Sequence, residues 1–183
     1  MTRTGRTVRF ADAPRSRWAN GLGETVELWR TPGDGPFEAR LSIATIGSDA
    51  PFSSLPGVDR VLLSLSPHTL TLDVDGRRTA LEQFDTVAFA GEAAVRAVGV
   101  TTPGHDLNLM VRRGTGTPAL TVVPVDGDLE VHGVAVVLDG TVTGPDGPLV
   151  PFDAVVGPVS LTGRGRLALA AVPAVPAAGT PIE

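Results

Sequence analysis

The chain has 183 residues, no cysteine, 4% aromatic residues and a formal charge of −5. A disulfide framework and thiolate metal ligation are therefore excluded; the scattered arginines make no basic face for nucleic acid, and the aromatic residues are too few for a base-stacking platform. With 42% hydrophobic residues, 22 Gly and 16 Pro, the chain can bury roughly 70% of its unfolded surface but is interrupted too often for long helices.

Arg3, Arg6 and Arg9 open the chain with no apolar run behind them, and no stretch approaches the ~20 apolar residues that span a bilayer. No signal peptide and no membrane contact are expected, and the expected location is cytoplasmic. Short alternating runs follow at 37–46, 61–65, 70–74, 86–89, 106–112, 121–125, 131–138 and 166–172, each of strand length. The segment 51–57 is broken by Pro51, Pro56 and Gly57, so at most one or two short helical turns are predicted.

Asp-Gly occurs at 34–35, 75–76, 126–127, 139–140 and 146–147, a dipeptide suited to the tight turns of antiparallel hairpins. The clearest predicted hairpins lie at 72–77 and 136–142. A Gly/Thr/Pro-rich stretch at 114–118 reads as a connection between two halves. The second half echoes the first, with Phe84-Asp85 answered by Phe152-Asp153 after a hairpin, a hint of duplication. From Val172 onward, prolines among alanines predict an extended tail. The expectation is an all-β antiparallel sandwich or barrel in two parts, 1–114 and 115–183. Edge strands of two such halves need covering, and a symmetric homodimer is a common solution.

Four segments carry a family resemblance: Trp18-Ala19-Asn20-Gly21-Leu22-Gly23-Glu24-Thr25, Arg40-Leu41-Ser42-Ile43-Ala44, Pro51-Phe52-Ser53-Ser54-Leu55-Pro56-Gly57-Val58-Asp59-Arg60, and Asp106-Leu107-Asn108-Leu109-Met110-Val111-Arg112-Arg113. In order and spacing they resemble the HutD/Ves family. The resemblance implies a cupin-like, RmlC-like jelly-roll bicupin, two antiparallel β-barrel halves in one chain. It also implies small-molecule binding with a regulatory role in histidine utilisation and no established catalysis. The wider cupin superfamily binds metal through two closely spaced His, a Glu and a later His. Here His68, His105 and His132 each stand alone, so no metal and no cofactor are expected.

Alternation sends Ala39, Leu41 and Ile43 to one face and Arg40, Ser42 and Ala44 to the other, which is either wet surface or a polar-lined lumen. Arg60 opens the run 61–65 and shares a face with Leu62 and Ser64. Its guanidinium either pairs with a local acid such as Asp59 or holds a ligand carboxylate through two parallel hydrogen bonds, and the family match favours the ligand. Asp106, Asn108, Met110 and Arg112 point one way along their run; Asn108 serves either to orient an amide or to hold neighbouring backbone. Trp18 and Asn20 precede Gly21 and Gly23, a pair that suits positive φ or a close approach. They form a turn or a lid over the pocket.

The expected ligand-binding set is thus Trp18, Asn20, Arg40, Ser42, Asp59, Arg60 and Asn108. The expected partner is a small anionic metabolite, which the family's link to histidine breakdown narrows to a formyl-glutamate-like intermediate. Two rivals remain. One is a metal-independent isomerase or hydrolase using Glu24, Asp59 or Asp106 as acid or base; the other is an interaction module whose lumen is packed shut by Leu62 and Met110.

Overall fold

Strands and turns, with no helix, make up residues 5–18 and 21–172, which are those described by this computed structural model. The predicted tail from Pro173 lies outside the described residues. One six-stranded sheet contains β2 (Arg15–Arg17), β3 (Gly23–Thr31), β4 (Ala39–Ile46), β5 (Val58–Ser64), β8 (Thr86–Ala90) and β10 (Gly104–Arg112), in the order β2-β3-β4-β10-β5-β8. A three-stranded sheet of β6 (Leu70–Val74), β7 (Arg77–Leu81) and β9 (Val95–Ala97) runs β7-β6-β9. The second six-stranded sheet takes β1 (Arg6–Val8), β11 (Ala119–Val131), β12 (Val134–Gly144), β13 (Gly147–Leu149), β14 (Ala154–Val156) and β15 (Val159–Ala171). Its order is β1-β14-β12-β15-β11, with β13 on β12.

The all-β expectation holds, but the sheets do not close into barrels. Among the described residues each strand order ends on edge strands, β2 and β8 in the first and β1 and β11 in the second. Burial is achieved instead by stacking, because the central strands β4, β5 and β10 are covered on both faces. Leu41, Ile43, Leu107, Leu109 and Val111 point from the first sheet into a cluster shared with Val134, Val136, Leu138 and Ala168 of the second. The opposite face of the first sheet presents Ile46, Leu62 and Phe89 to Leu70, Leu72, Leu81 and Val95 of the three-stranded sheet. The interior of the second part is filled by Val137, Val142, Leu161 and Leu167 among others.

The hairpin predicted at 72–77 is present, with Asp75 and Gly76 both at positive φ (50° and 83°) joining β6 to β7. That predicted at 136–142 is absent: β12 runs straight through Asp139-Gly140, with a bulge between Val137 and Asp139. Asp126-Gly127 likewise lies inside β11. Neither glycine turns the chain: Gly140 serves a close strand contact, while Gly127 sits at positive φ with open space beside it. Gly140 faces Gly165, and Gly127 faces Gly163; a Cβ on Gly140 would stand 2.2 Å from the Arg164 carbonyl oxygen and one on Gly165 2.3 Å from that of Asp139. Glycine in a strand interior marks a bulge or a close backbone approach.

The Phe-Asp echo is a repeated structure. Phe84 and Phe152 both adopt positive φ (72° and 78°). In each copy the Asp carboxylate accepts the N–H three residues earlier, of Glu82 or Val150. The Phe N–H then donates to a strand carbonyl, of Ser64 or Val137.

Candidate functional site

The register of β4, β10 and β5 builds the site in three cross-strand rows. Arg40, Met110 and Arg60 form one, Ser42, Asn108 and Leu62 the next, and Ala44, Asp106 and Ser64 the third. Residues directly opposite one another share a face, so the polar alternation read in 40–44 and 106–112 converges on one side of the sheet. Strands ~4.8 Å apart root the two arginines on either side of Met110. Over the first two rows lies a hollow of about 510 Å³, floored by Arg40, Ser42, Arg60, Asn108 and Met110 and roofed by Trp18, Phe52 and Leu55. The face therefore lines a partly open hollow, with Arg60 buried and Arg40 part-exposed, and Met110 lines it without closing it.

Arg60 is only 5% exposed. Its Nε donates to Asn108 Oδ1 at 3.4 Å and its Nη1 to the Ser53 carbonyl at 3.2 Å, while its guanidinium carbon sits 5.5 Å from the Phe52 ring centroid and 5.0 Å from that of Phe89. Among the described residues no carboxylate lies within ion-pair distance of it. Burial pulls the group down to about 10, with Asp106 opposing that drop and Arg40 adding to it, so the charge persists at neutral pH. Arg40 reaches Glu27, Nε to Oε2 at 2.8 Å, without the angle of a hydrogen bond. Asn108 lines the hollow and accepts from the Arg60 side chain, a role that neither sequence reading gave it.

One row below, Asp106 is fully buried, with neither carboxylate oxygen hydrogen-bonded. Burial pushes it up to about 7, against the pull of Arg60 and of the Asn108 amide, which lies close without completing a bond. The opposite Ser64 hydroxyl is buried and equally unpartnered.

Trp18 lines the hollow, tethered by its Nε1 to Thr25 Oγ1 at 2.9 Å and set edge-on to Phe52. Gly21 has φ 72°, and a Cβ on Gly23 would stand 2.9 Å from the Trp18 ring. The two glycines thus meet the two needs expected of them. Asn20 lies outside the described residues.

Asp59 departs from expectation. It neighbours Arg60 in sequence and so points to the opposite face, where it accepts two hydrogen bonds from Arg113 at 2.8 and 3.1 Å outside the hollow. Glu24, a candidate acid or base, is likewise outside and pairs with Arg15 at 2.8 Å. Among the described residues no three His, Asp or Glu gather to hold a metal ion. Sequence reasoning did not single out Glu27, Phe52 or Ser53. Phe52 and Ser53 sit in the quoted 51–60 segment, which folds back so that its start caps the guanidinium at its end; Glu27 lay in a strand whose alternation is broken by the bulge between Glu27 and Trp29.

Residues 10–143 match the family model described as HutD. The chain is 40% identical over 104 residues to Protein Ves of Cronobacter sakazakii, covering 55% of this chain and 56% of that one. It is 38% identical over 106 residues to an uncharacterised 21.2 kDa protein in the hutC 3′ region of Pseudomonas putida, covering 56% of each. The chain thus spans little more than half the length of these two relatives. The structure of HutD from Pseudomonas fluorescens SBW25 superposes with a TM-score of 0.74 at 28% identity, covering 91% of this chain and 98% of that one. The fold extends to Ylba from E. coli, with a TM-score of 0.70 at 10% identity, covering 92% of this chain and 90% of that one. It is cupin-like and all-β.

Proposed function

This chain belongs to the HutD family, and from that premise we propose that it binds a small carboxylate metabolite without transforming it. The ligand in this reading resembles formyl-glutamate, an intermediate of histidine degradation, and its binding serves a regulatory role in histidine utilisation. The observation that carries it is Arg60, a charged group 5% exposed, beside a hollow and without a carboxylate partner. A buried cation with no carboxylate in direct contact is costly, since Asp106 acts on it only from a distance; a ligand carboxylate accepting two parallel N–H bonds supplies the direct ion pair in a geometry that lysine cannot match. The names of two relatives, HutD and a protein in a hutC 3′ region, support the link to histidine utilisation.

A bicupin origin belongs to the same reading, supported by the repeated Phe84-Asp85 and Phe152-Asp153 turns. In the second copy, Val142, Leu161 and Leu167 occupy the interior, so the binding role falls to the first.

Calorimetric titration of N-formyl-L-glutamate tests the assignment. Arg60→Ala is expected to weaken binding about 30-fold or more, and Arg60→Lys to restore little of it. Undiminished affinity in a folded Arg60→Ala protein removes the assignment.

A further inference from the structure

Asp106 is fully buried, and both of its carboxylate oxygens lack a hydrogen-bond partner. A buried carboxylate without any hydrogen bond is rare in folded proteins and calls for a physical reason. It stands in the row next to Asn108 on the face that carries Arg60, at zero exposure and behind the floor of the hollow. Its cross-strand neighbours are Ala44 on β4 and Ser64 on β5, neither of which titrates. The three-stranded sheet presents Leu70 and Leu72 to this face, and β3 contributes Thr25 and Glu27, of which Glu27 is paired with Arg40. His105 is next in sequence but points the other way, against Phe152. His68, from the loop after β5, stands over Gly104 two residues along the same face, with its Nε2 3.1 Å from the Thr102 carbonyl oxygen. Among the described residues Arg60 is the charge that bears on Asp106, and the same guanidinium faces the hollow.

Two anions competing for one buried cation cannot both keep their charge at no cost. Resting on the proposed carboxylate site, we infer that Asp106 is a proton-linked counter-charge: ionised, it balances Arg60 across an empty hollow, and it takes a proton from solvent when a ligand carboxylate docks on that guanidinium. The unpartnered Ser64 hydroxyl opposite supplies a neutral neighbour for the protonated acid. The ionisation of Asp106 already lies near neutrality, at about 7, and a ligand's negative charge raises it further. Arg60, at about 10, stays charged throughout the window.

Linkage fixes the sign. The complex binds more protons than the free protein, so affinity is highest where Asp106 is already neutral and falls as pH rises past its ionisation. N-formyl-L-glutamate, whose carboxylates remain ionised near neutrality, is the probe. Titrated into the full chain at about pH 7.5 in HEPES and in Tris, it is expected to give heats that differ by the uptake of a fraction of a proton per ligand. Affinity is expected to fall about tenfold between roughly pH 6 and pH 9. Asp106→Asn, of equal size, is expected to abolish the buffer dependence and flatten the pH profile, an outcome that a purely structural role for Asp106 does not produce. Binding by the unsubstituted chain with no proton uptake and a flat profile overturns the inference alone, and uptake that survives in Asp106→Asn overturns it too. Absence of binding at every pH overturns both the inference and the carboxylate site beneath it.

Discussion

Arg60 and Asp106 lie on one face of adjacent strands, and burial acts on them in opposite directions, lowering the guanidinium and raising the carboxyl. The second shift has a consequence for stability that needs no ligand. Between the ordinary carboxylate value of 3.8 and about 7, the folded chain holds a proton on Asp106 that the unfolded chain has released. Asp106's contribution is therefore complete below about pH 4 and lost as pH rises through about 7. Urea unfolding across this window is expected to show a decline on the order of 1.4 kcal/mol per pH unit from this group. Asp106→Asn is expected to lack that component whatever its absolute stability, and an unchanged slope in the variant contradicts the burial argument. The face that joins these groups was legible in the sequence because strand alternation has a period of two, which grouped Arg40 with Ser42 and Asp106 with Asn108. The same rule, applied at 59–60, excludes Asp59 from the face of Arg60; adjacency in sequence is what made it look like a site residue. The orphaned state of Asp106 had no sequence signal, because it depends on what the neighbouring strands place opposite it.

At the scale of elements, Asp-Gly identified the turn at 75–76 but not its own meaning at 126–127 and 139–140. Positive φ is needed in both settings, and local sequence does not distinguish a chain that reverses from one that bulges against a neighbour. Long strands supply the difference: β11 and β15 pair along all 13 residues, and β12 joins them from the other side. Gly165 is the contact point, since an added Cβ meets the Asp139 carbonyl oxygen at 2.3 Å and the Gly140 Cα at 3.0 Å, both backbone atoms that cannot rotate away. Gly127 has φ 96° but open space around it. Gly165→Ala is expected to cost ~3 kcal/mol by forcing two strands apart, and Gly127→Ala ~1 kcal/mol from backbone conformation alone. Denaturant midpoints of the two variants read the order directly, and a Gly165→Ala protein as stable as the parent removes the close-approach account.

For the whole molecule, the two parts are joined through a shared core and through β1, which leaves the N-terminal end of the chain to pair with β14. The repeated Phe-Asp turn gives an internal control on what that crossing is worth. Asp85 closes its turn in solvent, bonding the Glu82 N–H. Asp153 closes the equivalent turn at 1% exposure and takes two further partners from the N-terminal segment, the Arg9 guanidinium at 2.7 Å and the Phe10 N–H at 2.9 Å. Around it Phe152 packs on Phe10 and on His105, so the second part grips the first through one turn. Removing the carboxylate leaves the Arg9 charge and two backbone donors without their acceptor, a loss of about 3 kcal/mol or more. Asp85→Ala gives up one exposed bond, ~1 kcal/mol at most. In a chain of this size the first corresponds to a fall in Tm of roughly 6–12 °C and the second to a few degrees at most. Because the shared cluster spans both six-stranded sheets, the Asp153→Ala protein is expected to melt in a single transition at the lower temperature. Two separated transitions, or equal effects of the two substitutions, contradict a core held in common and fastened at that turn.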